Sequence, residues 1–322
     1  MTNKNDATEF MAFDEAMNSV LKELDKVLRS SPIAIRKYIE HLADSKGKNI
    51  RALSLITCAE NERDLIHPDA VKLAVAVEVL HLATLVHDDV MDDADIRRGK
   101  ETLQKKYGKK TAVICGDYLL SLSLRLFGSC SNKEEYINLN IPDYMRKLAV
   151  GELKQNINNG NLDLSEMQYM KIISGKTAAL FEASFYGGAV LSKCDEHELK
   201  SYMKLGKYTG MIFQITDDCM DFETTKDVAK KPVQSDFEQG VITLPLIYAF
   251  KNLKGFKEKV KEREVSIKYI NESVAKSGGL EYAHDVSKKY YDKSKQIIDK
   301  LKISQNKRQK LQLILNKVYR LA

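Results

Sequence analysis

His81-Leu-Ala-Thr-Leu-Val-His-Asp-Asp-Val-Met-Asp-Asp-Ala-Asp-Ile-Arg-Arg-Gly99 is an apolar helical run that ends in carboxylates, with two arginines after them. On a helix, positions four apart lie one above the other on a single face. Asp88 and Asp92 therefore share a line, with Asp89 about 100° round the axis. Anions crowded in this way repel one another unless a cation sits among them. Hard divalent ions such as Mg²⁺ take oxygen ligands, usually one or two carboxylates together with phosphates of a substrate. Arginine carries the planar fork that suits phosphate oxygens. The local reading is a Mg²⁺–diphosphate clamp at the polar end of an oily helix. By itself the stretch is read at least as well as a solvated acidic helix end.

A second copy changes that balance. Phe213-Gln-Ile-Thr-Asp-Asp-Cys-Met-Asp221 again closes an apolar run with Asp217, Asp218 and Asp221. Two DDxxD clusters of one form are hard to explain as surface decoration. Together they can hold several Mg²⁺ ions around one diphosphate, which suggests metal-assisted departure of that group.

With both clusters, Arg97-Arg98-Gly99 after the first, and Gly175-Lys176-Thr177 between them, the chain resembles the trans-isoprenyl diphosphate synthases, or polyprenyl synthetases. The motifs run from about Lys46 to about Pro245. The likeness is to the long-chain type, in particular the catalytic subunit of hexaprenyl and heptaprenyl diphosphate synthases. It implies a single all-α domain over residues 1–322, a bundle of about ten or more helices round a deep central cavity. It also implies head-to-tail prenyl transfer, in which an allylic diphosphate such as farnesyl diphosphate is extended by isopentenyl diphosphate.

The resemblance assigns roles residue by residue. Asp88, Asp92 and Asp217, supported by Asp89, Asp218 and Asp221, hold Mg²⁺. Arg97, Lys176, Thr177, Gln214 and Lys231 bind the allylic diphosphate. Lys48, Arg51, His81 and Arg98 bind isopentenyl diphosphate. On local evidence alone, Lys48 and Arg51 read as a solvated charge pair and His81 as an ordinary core histidine. The pattern is also departed from. Asn49 and Ala52 stand where the family commonly has Arg and Pro. Leu153 replaces a Gly in Gly151-Glu-Leu-Lys-Gln155, with Gln155 expected near the second cluster. Val241 replaces the Lys of Gly-Lys-x-Thr, so one diphosphate-binding charge is missing.

Composition supports long helices. Among 322 residues there are 5 Pro, 16 Gly and no Trp, a profile unsuited to turn-rich sheets. The hydrophobic share of 43% is enough for a substantial core. The net charge of +6 from 51 basic and 45 acidic residues suits anionic small substrates, and without a compact basic block interleaved with aromatics nucleic acid is not expected. Five scattered cysteines without CxxC spacing read as reduced core thiols. Met1–Thr8 has no apolar stretch of a targeting sequence, and no apolar run is expected to reach the ~18 residues of a membrane span. These features predict a cytoplasmic protein with at most peripheral membrane contact.

Along the chain, apolar spacing predicts helices over 9–30, 33–44, the run from Pro68 to the first cluster, 112–127, 169–191 and 197–222. Thr102–Tyr107 reads as a connector, residues 131–145 as a loop or weak helix, and His87 and Asp117 as structural. A Gly inside the helical run 169–191 costs ~1 kcal/mol relative to Ala. That predicts a kink or close backbone approach at Ser174–Ala178. The Gly-Lys-Thr there is not a phosphate-binding loop, because the GxxxxGK[ST] spacing and the preceding strand are absent.

Product length follows from the same helix. Ala83 and Thr84, five and four before Asp88, lie one turn below the acidic end, with Ala76, Val79 and Leu80 further down. In short-chain relatives an aromatic there closes the tunnel; here both side chains are small. The expected product is hexaprenyl to decaprenyl in length, for a quinone side chain. The competing readings are a farnesyl or geranylgeranyl diphosphate synthase, a class I terpene cyclase and a non-catalytic prenyl-diphosphate-binding subunit. A homodimer, or a heteromer with a small regulatory subunit, is the expected assembly.

Overall fold

The computed structural model describes residues 9–44, 47–131, 143–223, 235–262 and 265–320. They are almost wholly helical, as expected. The sole sheet among the described residues is a hairpin of two-residue strands, β1 (Ile96–Arg97) and β2 (Lys100–Glu101), which the sequence reading missed. The chain falls into two compact units. One combines residues 1–142, 183–203 and 301–314, the other 143–182, 204–300 and 315–322.

In the first unit α1 (Phe13–Arg29), α2 (Ile33–Ala43) and α3 (Ile50–Ala59) precede the long α4 (Asp69–Met91). Then come the hairpin, α5 (Leu103–Tyr107) and α6 (Lys109–Phe127). The predicted connector is thus partly helical: the Thr102 hydroxyl accepts from the Lys105 N–H and caps α5. Most of the expected loop at 131–145 lies outside the described residues.

Helix α4 is buried nearly all round, from Ala70 through Val86, which is what a helix without a polar face must do. Contrary to expectation, it is long and apolar enough to cross a membrane; an 18-residue window averages a hydropathy of 1.6, and 61% of that window is buried inside the protein. Its first turn is fixed by the buried Asp69, which accepts from Lys72 at 2.9 Å and from the Ser131 N–H at 2.8 Å. Helix α6 lies against it. Ser123 donates to the Ala76 carbonyl at 2.8 Å, and the His87 ring covers Gly116 so closely that a Cβ there would sit 2.3 Å from Nε2. His87 also meets Asp117 at 3.3 Å.

The carboxyl end of α3 is held by a buried lysine. Lys307 donates to the carbonyls of Cys58 at 2.7 Å and Glu60 at 2.6 Å, 5.1 Å from the Tyr202 ring centre. These are carbonyls that a helix end leaves without an internal partner. Lys307→Met should leave two buried acceptors unsatisfied and cost about 3 kcal/mol. The urea-unfolding midpoint reads that loss, and an unshifted midpoint would refute the anchoring role.

In the second unit α7 (Tyr144–Ile157) precedes α8 (Glu166–Ile173), whose start is a reciprocal cap between Ser165 and Gln168. Ser174–Ala178 then forms a π-helical turn before α9 (Ala179–Leu191). The predicted irregularity is therefore present, and so is the close approach. A Cβ on Gly151 would lie 2.2 Å from the Lys176 nitrogen, and one on Gly210 would lie 2.5 Å from the Ala178 Cα. The long α10 (Glu196–Glu223) ends in the second aspartate cluster. Tyr169, Ile172, Ala178, Met211, Ile215 and Leu244 belong to the core beneath it. All five cysteines are free thiols, four of them buried.

Candidate active site

The first unit gathers most of the cations predicted for isopentenyl diphosphate. Arg98 and Gly99 form the hairpin turn with φ of +52° and +77°, the left-handed pair that a tight hairpin requires. Neighbouring positions on a strand edge face opposite ways. Arg97 turns to Asp89, its Nε donating to Oδ1 at 2.5 Å. The Arg98 guanidinium lies over Gly47, where a Cβ would stand 3.1 Å from Nη1. Arg51 enters from the first turn of α3 and is 8% exposed, whereas Lys48 is exposed just before that turn.

Glu78 balances part of this charge. Its Oε1 accepts from the Ala52 N–H at 2.9 Å, and burial raises its pKa despite Arg51 and Arg98 nearby. Burial lowers Arg51 to about 10, with Glu78 opposing and Arg98 assisting the shift. Burial, followed by the fields of Arg51, Arg98 and Arg97, drives His81 well below the ordinary imidazole range. His81 is thus a neutral imidazole among guanidinium groups. Arg51 and Arg98 thus face Glu78, and Arg97 faces Asp89, which places guanidinium forks suited to phosphate oxygens beside the first motif.

The three aspartates of the first motif differ in use. Asp88 is half-buried in the last turn of α4, and Asp92 caps the helix just beyond Met91, with its N–H donating to the Asp88 carbonyl at 2.8 Å. Asp89 is 5% exposed and engaged by Arg97; burial outweighs that cation and raises its pKa. Ala83 and Leu80 are buried beneath, and the Thr84 hydroxyl donates to the His81 carbonyl at 2.8 Å.

In the second unit the π turn sets two predicted residues. Lys176 Nζ meets Glu152 Oε1 at 2.7 Å. Thr177 Oγ1 donates to Gln214 Oε1 at 2.6 Å, and Gln214 Nε2 donates to Asp218 Oδ1 at 2.7 Å. The Tyr169 hydroxyl donates to Asp218 Oδ2 at 2.5 Å. Asp218 is 3% exposed, and burial followed by the Asp236 charge raises its pKa well above the carboxylate range. Asp217 stays more open, paired with Arg320 Nη2 at 2.7 Å. Asp221 is half-buried one turn on. Gln155 bonds Asn159 at 3.0 Å. Val241 sits in the turn at Gly240, its N–H donating to the Asp236 carbonyl. Lys231 lies outside the described residues. Glu78, Glu152, Tyr169 and Arg320 were not singled out as site residues by the sequence reading.

Among the described residues no three metal-binding side chains converge on one point. Mg²⁺ does not need such a cage, since one or two carboxylates plus phosphate and water oxygens satisfy it. Asp88 and Asp92 in the first unit, and Asp217 and Asp221 in the second, are oxygen donors of that kind, so the chemistry of each pair fits the ion.

Residues 33–277 match the model of the polyprenyl synthetase family, and the chain belongs to that family. It is a prenyltransferase, a polyprenyl diphosphate synthase. Component 2 of heptaprenyl diphosphate synthase from Bacillus subtilis is 32% identical over 92% of this chain and 86% of its own length. The crystal structure of heptaprenyl diphosphate synthase from Staphylococcus aureus superposes with a TM-score of 0.86 at 30% identity, covering 96% of this chain and 98% of that one. A polyprenyl synthase from Caulobacter crescentus, complexed with calcium and isoprenyl diphosphate, gives 0.84 at 29% identity, covering 96% of both chains. Other relatives are named as nonaprenyl and geranylgeranyl diphosphate synthases.

Proposed function

We propose that this enzyme makes a long-chain all-trans polyprenyl diphosphate by successive addition of isopentenyl diphosphate to an allylic primer, for a quinone side chain. The observation that carries the reading is the gathering of Arg51, Arg97 and Arg98 round neutral His81 beside the first aspartate motif. Lys48, Arg51 and Arg98 hold the diphosphate of isopentenyl diphosphate. Neutral His81 donates one ring N–H to the same group. Arg97, Lys176, Thr177, Gln214 and Lys231 serve the allylic diphosphate. Asp88, Asp92, Asp217 and Asp221 would hold Mg²⁺, with Asp89 and Asp218 as support; the ion, when bound, neutralises charge on the departing diphosphate. The allylic C–O bond breaks, the isopentenyl double bond supplies the electron pair for the new C–C bond, and the proton released goes to the departing pyrophosphate.

The length reading is supported by the small Ala83 and Thr84 and by relatives named for heptaprenyl and nonaprenyl products. Relatives named as geranylgeranyl diphosphate synthases support a shorter alternative. Ala83→Tyr should shorten the product to about three or four isoprene units, by filling the turn below the acidic end. Because Ala83 is 1% exposed, Thr84→Phe serves as the companion variant. Unchanged product length in two folded variants would refute the floor position.

The direct test incubates the purified chain with Mg²⁺, farnesyl diphosphate and labelled isopentenyl diphosphate and separates the products by chromatography. Products of six to ten units support the reading, and products of three or four units favour the alternative. A relative named component 2 favours a small second subunit, which would show as activity only after that subunit is added. We also place the enzyme in the cytoplasm, as a homodimer or such a heteromer.

A further inference from the structure

Four side chains of the second unit form one directed hydrogen-bond chain. Tyr169 and Gln214 both donate to Asp218, at 2.5 Å and 2.7 Å, and so occupy its two carboxylate oxygens. Because the Gln214 amide nitrogen is committed to Asp218, its carbonyl oxygen must face Thr177, which donates to it at 2.6 Å. Tyr169 is 3% exposed and Thr177 7% exposed. The three hydrogen bonds join end to end, so each side chain holds the next in place. The chain thereby fixes the Thr177 oxygen, from where its hydrogen can turn to a diphosphate oxygen.

Tyr169 lies seven residues before Lys176 on the other side of the π turn, away from both acidic motifs in sequence. We infer that Tyr169 is a positioning residue for prenyl transfer: through Asp218 and Gln214 it fixes the position of the Thr177 oxygen. On this account Asp218 is the anchor of the chain, while Asp217 and Asp221 are less deeply buried. The inference rests on the prenyl-transfer reading above.

Tyr169→Phe tests it, since the ring stays and only the hydroxyl goes. In the full-length enzyme kcat should fall about tenfold while KM for isopentenyl diphosphate stays within twofold. A merely structural role would instead lower the active fraction. That fraction is counted by calorimetric titration with farnesyl thiolodiphosphate and Mg²⁺, and full stoichiometry is expected. The second variant is Thr177→Val. In that background the chain has already lost its end, so adding Tyr169→Phe should change kcat by less than twofold. A tenfold loss in both backgrounds, an unchanged kcat in the wild-type background, or a reduced stoichiometry would each overturn the inference. A wild-type chain silent with every primer removes the functional reading and the inference with it. An active wild type indifferent to Tyr169→Phe removes the inference alone.

Discussion

Asp88→Ala is expected to lower kcat by about 10³, which is ~4 kcal/mol of barrier, while the unfolding midpoint stays close to that of the wild type. Asp88 is half-buried in the last turn of its helix, so truncation removes less packing than at the 5% exposed Asp89. Asp89→Ala should behave differently. Its carboxylate is 5% exposed and bound by Arg97 at 2.5 Å. Removing it takes a charge-assisted hydrogen bond from the half-buried Arg97 and costs about 2 kcal/mol. Asp89→Ala therefore loses stability as well as turnover. Kinetics and denaturation on the two variants separate a ligand-facing carboxylate from one that orients an arginine. If both variants unfold at the wild-type midpoint, the assignment of Asp89 to Arg97 fails; if Asp88→Ala turns over normally, the first motif is not the reacting site.

Gly151→Ala should cost about 3 kcal/mol and most of the activity, although it adds a single methyl group. The new Cβ would meet the Lys176 nitrogen at 2.2 Å and the Gly175 carbonyl carbon at 2.5 Å. Both are backbone atoms and cannot swing aside. Overpacking normally costs 1–3 kcal/mol, and this contact belongs at the upper end because it presses on a π turn. Relief requires that turn to move, carrying Lys176 away from Glu152 and Thr177 away from Gln214. Gly175→Ala meets the same contact from the other side, with Gly151 Cα at 2.8 Å. The two substitutions should therefore combine with less than additive effect. A Gly151→Ala protein of wild-type stability would mean that the helices do not touch as described.

Much of this was legible in the sequence because it depends on short spacings. Helical periodicity located α4 and α10 and put an acidic cluster at the end of each. The cost of Gly175 within a helix pointed to the distorted turn at Lys176 and Thr177. What escaped depends on contacts far apart along the chain. Tyr169 is 49 residues from Asp218, and Arg320 is 103 residues from Asp217; no periodic signal joins such pairs. Asp218 and Asp221 were expected to support the second cluster alike, but burial divides them, and burial is a property of the packed protein. The hairpin at Ile96–Glu101 was missed because two-residue strands are too short to alternate. Its available signal was Arg98-Gly99, a pair able to take up the left-handed turn.

Arg320 gives the second motif a resident counter-ion. Its guanidinium pairs with Asp217, so a hard cation held by that carboxylate would have to displace Arg320 rather than fill a bare site. The affinity measured for that cation is then a difference between two holds, weaker than the carboxylate alone would give.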